Sequence, residues 1–113
     1  FGLERCKERL VMSYKIKLLP IVHTDLRKAK KWYHEKSETL AQEFKIEVNK
    51  EIDYIGEYPE HYQRKYKELR QSLVTRFPYA IFYLVEEEQK QIIVFGVLHT
   101  RRNPEIIRER IKK

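Results

Sequence analysis

The chain has 113 residues, enough for one domain with one modest core. Charged side chains make up 36% and aromatic ones 12%, which is too aromatic for a disordered chain of this charge. The net charge of +7 points to an anionic partner, nucleic acid or an acidic protein. No apolar run reaches membrane-spanning length, and the lone Cys6 excludes an internal disulfide framework and fits a reducing cytoplasm.

Residues 1–12 read as an N-terminal extension, and residues 13–113 as a single domain with a basic tail. Met12 is the expected natural start, because it stands just before the first strand-like run, and the opening residues lack the apolar core of a signal peptide. Tyr14 to Leu19 alternates apolar side chains with Lys and predicts a half-buried strand, which Pro20 ends. Thr24 and Asp25 then predict a helix start, with Thr24 as N-cap. Leu26, Ala29, Trp32 and Tyr33 share one face of that helix, which should end near Lys36. Ser37 or Thr39 caps a longer second helix with a stripe of Leu40, Ala41, Phe44, Val48, Ile52 and Ile55, ended by Gly56 and Pro59. The short connection makes the two helices an antiparallel hairpin, whose apolar faces need a sheet to cover.

Tyr66 to Leu69 predicts a short strand, and Leu73 to Phe77 the approach to the next, with Pro78 producing a bulge or bend. Here Tyr62, Arg64, Lys65, Tyr66, Lys67, Arg70, Arg76 and Phe77 interleave basic and aromatic character. Such interleaving can hold a phosphate backbone and stack bases, or it can be an exposed edge whose tyrosines pack inward. Tyr79 to Val85 and Gln91 to Leu98 are two strand-like runs joined by a polar connector, a β-hairpin. His99, Arg101 and Arg102 stand at its exit, and Asn103-Pro104 stops it. In the tail, Arg101, Arg102, Arg108, Arg110, Lys112 and Lys113 face only Glu105 and Glu109, as a solvated basic segment with helical potential.

The expected fold is therefore α+β, in the order β-α-α-β-β-β, with a helical hairpin packed on a small antiparallel-rich sheet. The expected core is Ile16, Leu18, Leu26, Trp32, Leu40, Phe44, Val48, Ile52, Ile81, Tyr83, Ile93 and Phe95. His23, His34, His61 and His99 lack metal-ligand spacing, and Gly2, Gly56 and Gly96 form no phosphate-binding loop, so no metal or cofactor is expected.

This order, with the Thr-Asp-Leu at 24–26, the Arg-Phe-Pro-Tyr run at 76–79 and the Val-Leu-His-x-Arg-Arg-x-Pro run at 97–104, resembles the RelE/ParE superfamily of toxins from type II toxin–antitoxin systems. The resemblance covers about residues 13–104 and looks closer to the ParE branch, often labelled plasmid-stabilisation proteins. It implies a cytoplasmic bacterial toxin neutralised by an acidic cognate antitoxin, a partner that suits a basic chain. In the ParE mode the toxin blocks DNA gyrase, and the arginines contact the target. In the RelE mode it cuts mRNA on the ribosome by attack of a 2′-OH on the adjacent phosphate. There His99 would be base or acid, Arg70, Arg76, Arg101 and Arg102 would hold phosphate, and Tyr66 or Tyr79 would stack a base. The plainer alternatives are that His99 anchors the loop after the strand and that Arg76 braces a bend. A non-toxic nucleic-acid-binding member is a further reading. An exposed edge strand makes a homodimer possible.

Overall fold

The computed structural model describes residues 14–102 and 104–111. The proposed start at Met12 and the N-terminal extension lie outside the described residues. In chain order the elements are β1 (Lys15–Leu18), α1 (Pro20–Lys36), α2 (Glu38–Glu57), β2 (Arg64–Tyr66), β3 (Leu69–Leu73), β4 (Tyr79–Glu86), β5 (Gln91–His99) and α3 (Glu105–Ile111). The sheet has five strands in the order β1-β5-β4-β3-β2. β1 runs parallel to β5, and the other pairs are antiparallel. The expected α+β class therefore holds. The segment read as one strand at Tyr66–Leu69 is instead a tight β2–β3 hairpin, turning at Lys67, whose φ of 52° is left-handed.

The first helix begins at Pro20, ahead of Thr24. Proline has no N–H to lose at the first helical position, and its fixed φ suits the helix, so the residue that ends β1 also opens α1. Ser37 alone joins α1 to α2, and its hydroxyl caps α2 by accepting from the Leu40 N–H. Gly56 lies inside α2, which stops at Glu57 before Pro59.

The main core lies between this hairpin and one face of the sheet. Val22, Leu26, Ala29 and Tyr33 of α1 meet Ala41, Phe44, Val48, Ile52 and Ile55 of α2 over Ile81, Tyr83, Ile92, Val94 and Val97. Each fully buried aliphatic or aromatic side chain there contributes about 1.5–3 kcal/mol. A smaller cluster of Leu69, Ala80, Phe82 and Leu98 on the opposite face is covered by Ile107 of α3.

Three expected core assignments need correction. Trp32 is 53% exposed. Adjacent helix residues point about 100° apart, and the neighbouring Tyr33 takes the inward position, so Trp32 falls beside the stripe. Ile93 and Phe95 are half-buried on the face away from the hairpin, because Ile92 and Val94 take the inward phase. Phe95 also marks a bulge: Tyr83 pairs with Val94 and Phe82 with Gly96, leaving Phe95 as the extra residue of β5. The bulge shifts the alternation, so Val97 faces the main core and Leu98 faces α3. Ile16, Leu18 and Leu40 are partly buried against the main core.

Candidate functional site

The site is built at the exit of the β4–β5 hairpin. Tyr79 and His99 are cross-strand partners, with rings edge to face at 5.3 Å. The turn that follows is held by backbone bonds: Thr100 N–H donates to Pro78 O, and Arg102 N–H to His99 O, each at 2.9 Å. Arg101 N–H donates to His99 Nδ1 at 3.1 Å. A neutral imidazole that accepts at Nδ1 carries its proton on Nε2. In that state Nε2 is a hydrogen-bond donor and has no lone pair for a proton. Arg101 and Arg102 are exposed and have no carboxylate at ion-pair distance among the described residues. Burial pushes the Tyr79 hydroxyl pKa above its ordinary value, with Arg102 opposing the shift.

His99 and Arg102 line two clefts. One, of about 490 Å³, lies between α1 and the hairpin exit, with Thr24, Lys28, Trp32, Tyr33, Pro78 and Tyr79 among its walls. The other, of about 230 Å³, opens on the α3 side beside Lys65, Gln71, Phe82 and Ile107. The first is flanked by a second polar assembly. β1 ends before Pro20, which leaves the edge of β5 open beyond Val94. Asp25 fills that gap: its Oδ2 accepts from Val97 N–H at 3.1 Å. Arg110 of α3 reaches the same carboxylate through both Nη atoms, at 2.7 and 3.0 Å, and donates to Phe95 O at 3.1 Å. Gly96 makes room for this, since a Cβ there would stand 2.7 Å from Arg110 Nη1. One carboxylate thus joins α1, the β5 bulge and α3.

The remaining candidates sit elsewhere. Arg76, in the β3–β4 turn with φ 73°, pairs with Glu43 at 3.0 Å and lies 3.9 Å from Glu47, tying that turn to α2. Arg70, opposite Tyr83 on β3, donates to Tyr62 O at 2.6 Å. Tyr62 in turn donates to Glu51 at 2.6 Å; burial, then this bond, pushes its pKa well up. Tyr66 lies on β2, and its side chain is outside the described residues. The fold therefore gathers His99, Tyr79, Arg101 and Arg102, and separates Arg70 and Arg76 from them. Lys28, Trp32, Lys65, Gln71 and Arg110 join the site without having been singled out as site residues. The available signal was the position of Trp32 at the edge of its stripe, next to a run of lysines. Among the described residues no group of His, Cys, Asp or Glu is arranged to hold a metal ion.

A helical hairpin laid on a five-stranded mixed sheet matches the fold of the RelE/ParE toxins. A free form of the E. coli toxin RelE with two arginines replaced by alanine superposes with a TM-score of 0.64 at 16% identity, covering 88% of this chain and 96% of that one. The chromosomal ParDE toxin–antitoxin system from P. aeruginosa gives 0.62 at 14% identity, covering 79% and 98%. Isolated E. coli RelE gives 0.58 at 17%, covering 88% and 97%. No curated protein matches the chain. The family model described as the ParE toxin of the type II toxin–antitoxin system parDE matches residues 16–104, and the chain belongs to that family. It is the toxin of a type II pair within the RelE/ParE superfamily, which implies an antitoxin partner. Among the described residues no helix is long and apolar enough to cross a membrane.

Proposed function

We propose that this toxin acts in the ParE mode: it arrests growth in the bacterial cytoplasm by blocking DNA gyrase, and a cognate acidic antitoxin neutralises it. The observation that carries this reading is the Arg101 N–H bond to His99 Nδ1. It favours His99 as the anchor of an arginine-bearing turn over a general base, whose acceptor nitrogen must be free to take a proton. Arg70 and Arg76 already have partners within the fold. Arg101 and Arg102 then remain as cations for an acidic target surface, with Tyr79 and His99 as rigid support. The net charge of +7 favours rapid encounter with an acidic antitoxin as well.

The RelE-type reading, cleavage of mRNA on the ribosome, draws on the second cleft. There Lys65 and Arg102 flank His99, a set that can bind phosphate and donate a hydrogen bond to it from Nε2. One experiment separates the two. Inducible expression compares wild type, His99→Asn and Arg101→Ala/Arg102→Ala, with growth, mRNA integrity and supercoiling by purified gyrase followed together. Asn keeps an acceptor for the Arg101 N–H and deletes the imidazole. The gyrase reading expects arrest and supercoiling inhibition with intact mRNA, retained in His99→Asn and lost in the double-arginine variant. Cleavage of mRNA within codons that His99→Asn abolishes establishes the ribonuclease. Soluble protein that causes no arrest leaves a non-toxic nucleic-acid binder.

A further inference from the structure

Trp32 is the chain's only tryptophan and stands 53% exposed, an unusual setting for its largest apolar side chain. It lines the 490 Å³ cleft with Tyr33, Tyr79, Lys28, His99 and Arg102. The volume suits a single nucleotide-sized group. The Lys36 ammonium covers the indole at 4.9 Å, and Tyr33 meets it edge to face at 5.0 Å, so the ring is held in place while remaining open to solvent. Neither Lys28 nor Arg102 has an acidic partner at ion-pair distance among the described residues. The one carboxylate on the wall, Asp25, is neutralised by Arg110.

We propose that this cleft binds one nucleotide of a single-stranded nucleic acid: Trp32 and Tyr79 take the base, and Lys28 and Arg102 take the flanking phosphates. Aromatic faces stack any base, and cations beside them follow the backbone. Cations continue on both sides of the cleft, with the exposed Arg27 and Lys31 on α1 and Arg101 beyond β5. A strand that enters along the helix and leaves past the turn meets positive charge throughout, whereas a free nucleotide would use only the middle of this track. An acidic peptide would meet the same cations but gain little from the aromatic pair. The proposal is independent of whether gyrase or the ribosome is the target, because it concerns a cleft on the hairpin side of the sheet and is read on purified toxin.

Tryptophan fluorescence reports on this site alone, since no other indole is present. Purified toxin is titrated with oligothymidylate, with oligouridylate, with thymidine monophosphate and with a glutamate-rich peptide, while anisotropy of a labelled oligonucleotide supplies a second signal. Saturable quenching is expected with either oligonucleotide, and binding at least about tenfold weaker with the mononucleotide. By anisotropy, Trp32→Ala and Lys28→Ala should each weaken binding about tenfold, and Lys28→Ala should lower the salt slope by about one. Lys50→Ala, an exposed lysine of α2, should stay within about twofold of wild type. All three positions are exposed, so the fold is retained. Quenching by the peptide but not by oligonucleotides overturns the proposal in favour of a protein interface. Equal affinity for the mononucleotide overturns the strand. Oligonucleotide binding without quenching, or an equal loss in Lys50→Ala, shows charge attraction away from the cleft and also overturns it.

Discussion

Replacing Asp25 by alanine leaves the Arg110 guanidinium without its counter-charge where that side chain is only 16% exposed. It also removes the acceptor of Val97 N–H at the bulge of β5. Breaking one side of such a buried pair costs about 3–5 kcal/mol. Against a total of about 5–15 kcal/mol for a domain of this kind, that is a fifth or more of the stability. Arg110→Ala should cost a similar amount, because it strands a carboxylate that is 8% exposed and frees the Phe95 carbonyl. It should also loosen α3, whose seven residues are too few to hold a helix without tertiary support. The double variant leaves no unpaired charge, so its cost should fall about 2–3 kcal/mol short of the sum of the two single costs, which is the coupling between the pair. Urea unfolding followed by circular dichroism measures all the variants. Asp25→Asn, which keeps an acceptor for Val97 N–H, supplies a milder case if Asp25→Ala fails to fold. Single costs that add to within about 0.5 kcal/mol would refute the coupling and reduce the pair to a surface contact.

Gly96→Ala places a Cβ 2.7 Å from Arg110 Nη1 and 3.1 Å from Ile107 Cδ1, so it should lower stability by about 1–3 kcal/mol and lose most of that cost in an Arg110→Ala background. Thermal melts of the two pairs check it. Tyr33→Ala should cost about 3–5 kcal/mol, since Tyr33 is 6% exposed and packs on Phe44 and Phe77, whereas Trp32→Ala should cost less than about 1 kcal/mol. Equal losses for the two would show that Trp32 packs as core. Burial raises the Tyr83 pKa from 10 to about 12, and its hydroxyl donates to Pro59 O at 2.9 Å. The fold favours the protonated form, so this contribution is complete below pH 10 and is lost as the pH rises through about 12. Tyr83→Phe should therefore be less stable near neutral pH by about 1 kcal/mol and show a shallower alkaline loss, read from unfolding curves across that window.

Much of the fold is legible in local pattern. The spacing of Leu40, Ala41, Phe44, Val48, Ile52 and Ile55 predicts α2, and Ser37 predicts its cap, because helix periodicity and capping depend on neighbours a few residues away. The two apolar runs around Glu86–Lys90 predict the β4–β5 hairpin for the same reason, and the motifs at 76–79 and 97–104 carry the superfamily resemblance. Where local signals tie, the assignments shift. Thr24 and Asp25 read as a helix start, but Pro20 had already opened the helix. Trp32 and Tyr33 are equally apolar neighbours, and only the packed sheet selects Tyr33. The phase of Ile92 and Val94 over Ile93 and Phe95 depends on the register with β1 and β4, which periodicity by itself leaves open.

The chain alone thus determines the elements, the helical hairpin, the basic character and the cluster of His99, Arg101 and Arg102 at a strand exit, all set by residues close in sequence. The tertiary structure decides which of the arginines are free and which are committed. Arg76 of the β3–β4 turn meets Glu43 of α2, Arg70 meets the Tyr62 carbonyl, and Arg110 meets Asp25 across most of the chain. It also brings Trp32 and Lys28 from α1 to face Tyr79 and Arg102 across one cleft. Such pairings join residues far apart in sequence, and their geometry follows from how the helices and the bulged strand pack, a property that no local pattern encodes.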